Sequence, residues 1–186
     1  MDPSTLVIWP FVADMSEEIV EAYGFLTDVI TSGDETEQRA QLREVPLRSQ
    51  EFSVLLDERD AQLANALIYG AQAKLYGVPL WQYGSRLTTQ FTSGSATLTT
   101  PTTDIPYAVD QCVLLLASPY SWEAFEIDAV GAGTLTTAAT AGATWPVGTL
   151  VCPMEAGRLS QDQPFDWLDL KLGRCRARFE LEAVAA

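Results

Sequence analysis

The chain has 186 residues, 47% hydrophobic and 19% charged, enough to bury a core in one domain or one domain plus a small insertion. Lys and Arg total 11 against 25 Asp and Glu, a formal net charge of −14. Such a surface repels phosphate, which argues against gripping nucleic acid by neutralising its backbone but not against letting it slide past.

The start, MDPSTLVIWPFVADMSEE, has no basic n-region, and Pro10 and Asp14 interrupt its apolar run, so no signal peptide is expected there. The stretch MSEEIVEAYGFLTDVI reads as a turn or two of helix or as a strand ending in Phe25–Ile30. TSGDETE reads as an exposed turn, with Gly33 and Asp34 supplying the turn chemistry. From Glu37 the period approaches two: Ala40 and Leu42 fall on one face, Arg39, Gln41 and Arg43 on the other. Parity then changes, since Val45 and Leu47 are odd while Phe52, Val54 and Leu56 are even. A strand with one buried face cannot slip by one residue without a break, so bends are expected at Pro46 and within Arg48–Glu51.

DERDAQLANALIYGAQAKLYGVPLW predicts the principal helix. Asp57 caps it, and Glu58 and Asp60 suit the positive end of its dipole. Leu63, Ala64, Leu67, Ile68, Ala71 and Leu75 form a stripe at helical spacing, Gly77 closes the helix and Pro79 prevents its continuation. The result is a helix of about four turns lying on a sheet.

VPLWQYGSRLTTQFTSG is strand-like. From Gly94 to Pro153 the segments ATLTT, QCVLLLA, EAFEIDAV, GTLTTAAT and GTLVCPM are short and β-prone, the pattern of a small antiparallel barrel or sandwich, with a hairpin turn at Gly131–Gly133. The most apolar run, CVLLLA, is too short to span a bilayer. In DWLDLKLGRCRARFELEA, Leu168, Leu170 and Leu172 share a face before Gly173, and Cys175, Ala177, Phe179 and Leu181 share one after it. Arg174, Arg176, Arg178, Glu180 and Glu182 form the wet face. This predicts one long strand with a bulge at Gly173, paired with the earlier arginine-rich strand. The expected fold class is mainly β with one principal α-helix (α+β). Residues 1–92 plus 158–186 form a discontinuous main domain, and 93–157 an inserted small β-barrel or β-sandwich module.

Catalytic chemistry is sparse. There is no histidine, so serine–histidine and cysteine–histidine mechanisms are closed. Cys112, Cys152 and Cys175 include no CxxC pair and read as reduced thiols of a protein made in a cytoplasm. No glycine-rich phosphate loop and no GxSxG elbow occurs. Asp34, Glu35 and Glu37 lack the alternation of a calcium loop. Trp9, Trp81, Trp122, Trp145 and Trp167 are scattered singly, the distribution of core or interface residues more than of a sugar platform. The arginines allow two readings: a solvated strand face, or cations that meet acidic surface on a neighbouring copy. Without such cations, like charges would oppose self-assembly, and arginine's planar fork suits carboxylates.

Residues 25–81 resemble tail proteins of long-tailed bacteriophages, those at the distal end of the tail tube. The resemblance rests on Phe25 to Val29, Gly33 to Glu37, Arg39, Leu42, Arg43, Pro46, Arg48 and Val78 to Trp81, and more loosely on EAFEIDAVGAGTLTT…WPVGTLVCPM. It implies a tail-tube-like β-sandwich or split barrel flanked by a helix, and a hexameric homo-oligomeric ring between the tail tube protein and the baseplate hub protein. That ring would sit in the virion at the tail tip, assembled in the host bacterial cytoplasm. It implies no enzymatic activity, no cofactor, no metal and no membrane partner, with DNA passing a negative lumen unbound. Arg39, Arg43, Arg48, Arg174, Arg176 and Arg178 are then the expected inter-subunit contacts, and Trp122 and Trp145 the outward-facing ones. The alternatives are another tail component (tube or terminator), a carbohydrate-binding module for host surface glycans built on 93–157, and a hydrolase using paired carboxylates.

Overall fold

A computed structural model describes residues 1–25, 27–31, 37–41, 46–70, 73–160, 163–169 and 171–182, with backbone alone at 27–31 and 37–41. After a 3-10 turn at Pro3–Thr5 come β1 (Val7–Ile8), β2 (Val20–Gly24), β3 (Thr27–Thr31), β4 (Glu37–Gln41) and β5 (Leu47–Asp57). The helix α1 (Glu58–Gly70) leads to β6 (Tyr76–Pro79), a 3-10 turn at Trp81–Tyr83 and β7 (Ser85–Arg86). Then follow β8 (Thr97–Thr99), β9 (Cys112–Ser118), β10 (Ser121–Gly131), β11 (Thr134–Thr137), β12 (Leu150–Leu159), β13 (Phe165–Asp169) and β14 (Leu172–Leu181). The described residues are thus mainly β with one α-helix.

The backbone of the fold is the antiparallel pair β5–β14, in unbroken register from Asp57↔Leu172 to Arg48↔Leu181. β14 therefore pairs with the second part of the earlier stretch, which carries Arg48 alone, while Arg39 lies in β4 of a separate two-stranded sheet. Gln50, Phe52, Val54 and Leu56 of β5 face inward with Cys175, Ala177, Phe179 and Leu181 of β14. A break expected within Arg48–Glu51 is not present: the polar residues there sit in continuous strand. Arg48 shares the inward face with Gln50, and its charge is neutralised at the sheet end rather than expelled by a bend. Pro46, the other expected bend, lies immediately before β5, which starts at Leu47; residues 42–45 are outside the described residues.

The parity change near Gly173 marks a hairpin, not a bulge in one long strand. β13 folds back on β14, pairing Phe165 with Cys175 and Trp167 with Gly173. A turn and a bulge shift alternation identically, so sequence periodicity does not separate them. Gly173 is required by packing, because a Cβ there would lie 2.8 Å from Phe165 Cε1.

Helix α1 starts where expected: Asp57 Oδ1 accepts from the Asp60 N–H at 2.8 Å, capping the first turn. Ala61 and Ala64 are fully buried, and Leu63, Leu67 and Ile68 pack against the same core. Ala71 lies outside the described residues. Gly77 does not cap the helix. It lies in β6, and its Cβ position is 2.7 Å from Met154 Sδ and 2.8 Å from Ile8 Cδ1. The bare backbone allows β1, β6 and β12 to pack this closely.

The main sheet runs β2-β5-β14-β12-β9-β10-β11-β8 and is open, while β3–β4 form a two-stranded sheet of their own. Met154 lies between β9 and β6, and Gly157 between β14 and β6. β9 and β14 thus follow one another along a single edge of β12, and the sheet splays there. The expected boundary at 157/158 falls inside β12.

Two apolar cores result. The first gathers Trp9, Phe11, Phe52, Tyr76, Phe179 and Ala64 with Cys112, Leu114, Leu116, Cys152 and Met154. The second holds Leu87, Phe91, Phe125, Ile127, Leu135 and Trp145 with Val113, Leu115 and Val151. Even positions of β9 face one core and odd positions the other, which explains why CVLLLA lacks polar alternation. Each fully buried leucine contributes about 1.5–3 kcal/mol.

Candidate functional site

The arginines singled out above have different fates. Arg48 is clamped within the chain. Its Nη1 donates to both Glu155 oxygens at 2.9 Å, and its Nη2 and Nε donate to Glu21 Oε1 at 2.5 and 3.1 Å. Tyr23 adds a ring 5.7 Å from the guanidinium carbon and donates its hydroxyl to Glu21 at 2.9 Å. Burial works against the guanidinium charge, but the pairs with Glu21 and Glu155 outweigh it and hold Arg48 above its ordinary pKa.

Arg174, Arg176 and Arg178 project from the face of β14 that points away from the first core, opposite Leu55, Ser53 and Glu51 of β5. Arg174 Nη1 pairs with Glu17 at 2.7 Å, and Arg176 pairs with Glu51. Arg178 is exposed and has no ion pair among the described residues. Its backbone is nevertheless fixed: its N–H donates to Gln163 Oε1 at 3.1 Å, and its carbonyl accepts from Ser160 N at 2.9 Å. Arg39 occupies β4 opposite Val29, with its side chain outside the described residues, and Arg43 lies outside them altogether.

The two tryptophans are not brought together. Trp145 does not face outward. It is 5% exposed in the second core, and its Nε1 donates to Glu123 Oε2 at 2.8 Å. Trp122 is 39% exposed and lies on the opposite face of β10, level with Leu116. With Ala124 and Glu126 it lines a cleft of about 490 Å³ against Asp2, Ser4 and Leu6 of the N-terminal turn. Glu126 also holds the Met1 amino group, and Asp2 accepts from Ser4 N at 2.8 Å. Periodicity did not reveal this cleft, because the turn is far from β10 in sequence. The acidic Asp2 and Glu126 were its only local signal.

None of the three thiols has the exposure a nucleophile needs. Burial pushes Cys112 up to about 12 and Cys175 up to about 11, and raises Cys152 as well. Among the described residues no group of three or more Asp, Glu or Cys could hold a metal ion. A groove of about 510 Å³ between α1 and β13 is walled by Ile68, Tyr69, Leu159 and Phe165, and among the described residues its lining includes no carboxylate, thiol or cation. Among the described residues no helix is long and apolar enough to cross a membrane.

Neither a protein-family model nor a curated protein sequence matches the chain. What the geometry offers is a charged sheet face, a terminal strand and an aromatic cleft with acidic rims.

Proposed function

We propose that the protein is a structural component of a long-tailed phage particle: a subunit of a ring at the distal end of the tail. The ring would join tube to baseplate hub and leave a channel for DNA. The reading rests on the resemblance over residues 25–81 to distal tail proteins, with tube and terminator roles as the alternatives within the tail. One structural observation carries it further. The β5–β14 pair has its inner face covered by α1 and the first core, while its outer face presents Arg174, Arg176 and Arg178 in a chain of net charge −14. Arg174 and Arg176 are neutralised there by Glu17 and Glu51, and Arg178, which has no ion pair among the described residues, is the cation of that strip suited to contact with another acidic protomer.

The sheet ends support the same reading. At one end the Thr88 N–H donates to Thr99 O, covering β8. At the other, β2 ends the sheet order and among the described residues pairs with β5 alone, and Tyr23 and Phe25 are exposed beside it. A strand left unpaired in this way is a template for another chain. A lumen lined by acidic surface would pass DNA by repulsion.

Exposed ion pairs contribute only about 0–1 kcal/mol each, so assembly rests mainly on apolar contact. The glycan-binding alternative loses half its platform with Trp145 buried. Electron microscopy of the purified protein across a range of concentrations, with light scattering for mass, tests the proposal. Closed rings are the expected result. Monomers alone, at every concentration and in the parent particle, would remove it.

A further inference from the structure

We infer that the Trp122 cleft of one subunit receives Arg178 of a second copy, an inference that rests on the ring reading above. The cleft pairs an aromatic wall, Trp122, with the carboxylates of Asp2 and Glu126. An aromatic face beside carboxylates favours a flat cation, because the ring quadrupole and the negative charge attract it together. The Met1 amino group neutralises part of this charge through Glu126 and leaves Asp2 to face the newcomer.

The matching cation is on the same chain, on the face of β14 that points away from the first core. Arg48, Arg174 and Arg176 are each paired with a carboxylate of their own chain. Arg178 has no such partner among the described residues, and Glu51, directly across the strand pair, is taken by Arg176. Ser160 and Gln163 fix the Arg178 backbone, so docking has the side chain alone to order.

Orientation then sets the geometry of assembly. Trp122 shares its face with Leu116, which packs in the first core, whereas Arg178 points away from that core. Two different surfaces of one chain therefore complement each other. Such a contact is heterologous: it passes from copy to copy and closes into a ring when the rotation permits.

The test compares wild type with Arg178→Glu, Trp122→Ala, Asp2→Arg and the exchange pair Asp2→Arg/Arg178→Asp. Ring formation is measured against concentration by light scattering and electron microscopy. Circular dichroism and thermal unfolding check that each variant folds, as expected for exposed positions. Each single substitution should raise the concentration needed for assembly at least tenfold, and the exchange pair should recover most of that loss. If wild type forms rings and the single variants assemble as it does, the contact is wrong and the ring reading stands. If folded wild type forms no ring, both fall.

Discussion

The most informative perturbation is at Arg48. In Arg48→Met the apolar stem is retained and the guanidinium removed, which leaves Glu155, 6% exposed, without the Nη1 donor that meets both its oxygens at 2.9 Å, and Glu21 without its 2.5 Å partner. Stranding a fully buried carboxylate costs about 3–5 kcal/mol. The Arg48 side chain is 28% exposed, so water will screen part of the loss, and about 2–3 kcal/mol is expected. That corresponds to a fall of roughly 4–12 °C in Tm for a chain of this size. Urea unfolding followed by tryptophan fluorescence measures the change. Arg48→Met/Glu155→Gln should be less destabilised than the sum of the single variants, because the second substitution removes the stranded charge. A loss under about 0.5 kcal/mol, or strict additivity, would refute the clamp. A variant that folds normally yet fails to assemble would return Arg48 to the role of a contact between subunits.

Three further outcomes follow from the same structure. Asp57→Ala removes the acceptor of the Asp60 N–H and should cost about 1 kcal/mol in urea unfolding, with Asp57→Asn losing much less. Gly77→Ala places a methyl 2.7 Å from Met154 Sδ and should destabilise by about 1–3 kcal/mol, with Met154→Ala in the same chain recovering part of the Gly77→Ala cost. Stability should fall in alkaline solution. The unfolded thiols titrate near 9.0, while folded Cys112 and Cys175 hold their protons to about 12 and about 11. Above that lower value the unfolded chain binds fewer protons than the folded one. The contribution is therefore complete below pH 9.0 and is lost as pH rises towards the folded values, at about 1.4 kcal/mol per pH unit for each thiol. A urea midpoint unchanged between about pH 8 and about pH 10.5 would contradict this.

Local signals were legible where the physics is local. The α1 start is written in Asp57, Glu58 and Asp60, and its buried side in Leu63, Ala64, Leu67 and Ile68, while the fully buried Ala61 lies outside the expected stripe. The alternation of Arg174 to Leu181 announced a half-buried strand, and its partner was found by likeness of pattern. Signals with two physical causes misled. A glycine before a proline looks like a helix stop, yet Gly77 is there because Met154 and Ile8 leave no room for a side chain. A parity shift at Gly173 suits a bulge as well as the hairpin that forms. Long-range pairing was not legible: Arg48 meets Glu21 and Glu155, which are 27 and 107 residues away. Trp122 and Trp145 were alike in sequence. Only the fold sets Trp122, on β10, at a cleft and Trp145, bridged to Phe91, in a core.

The sharing of β9 and β12 between two cores restricts how this protein can be remodelled by recombination. A segment that builds only its own interior can be gained or lost as a cassette. Excising residues 93–157 would take away Cys112, Leu114, Leu116, Cys152 and Met154, and leave Trp9 and Phe179 facing water. Variation in this half must then enter at its rim, through the turns after Ser118, Gly131 and Ala141, where lengthening the chain disturbs neither core. New adhesive or recognition segments would be grafted at those three turns, while the strands between them stay fixed in length.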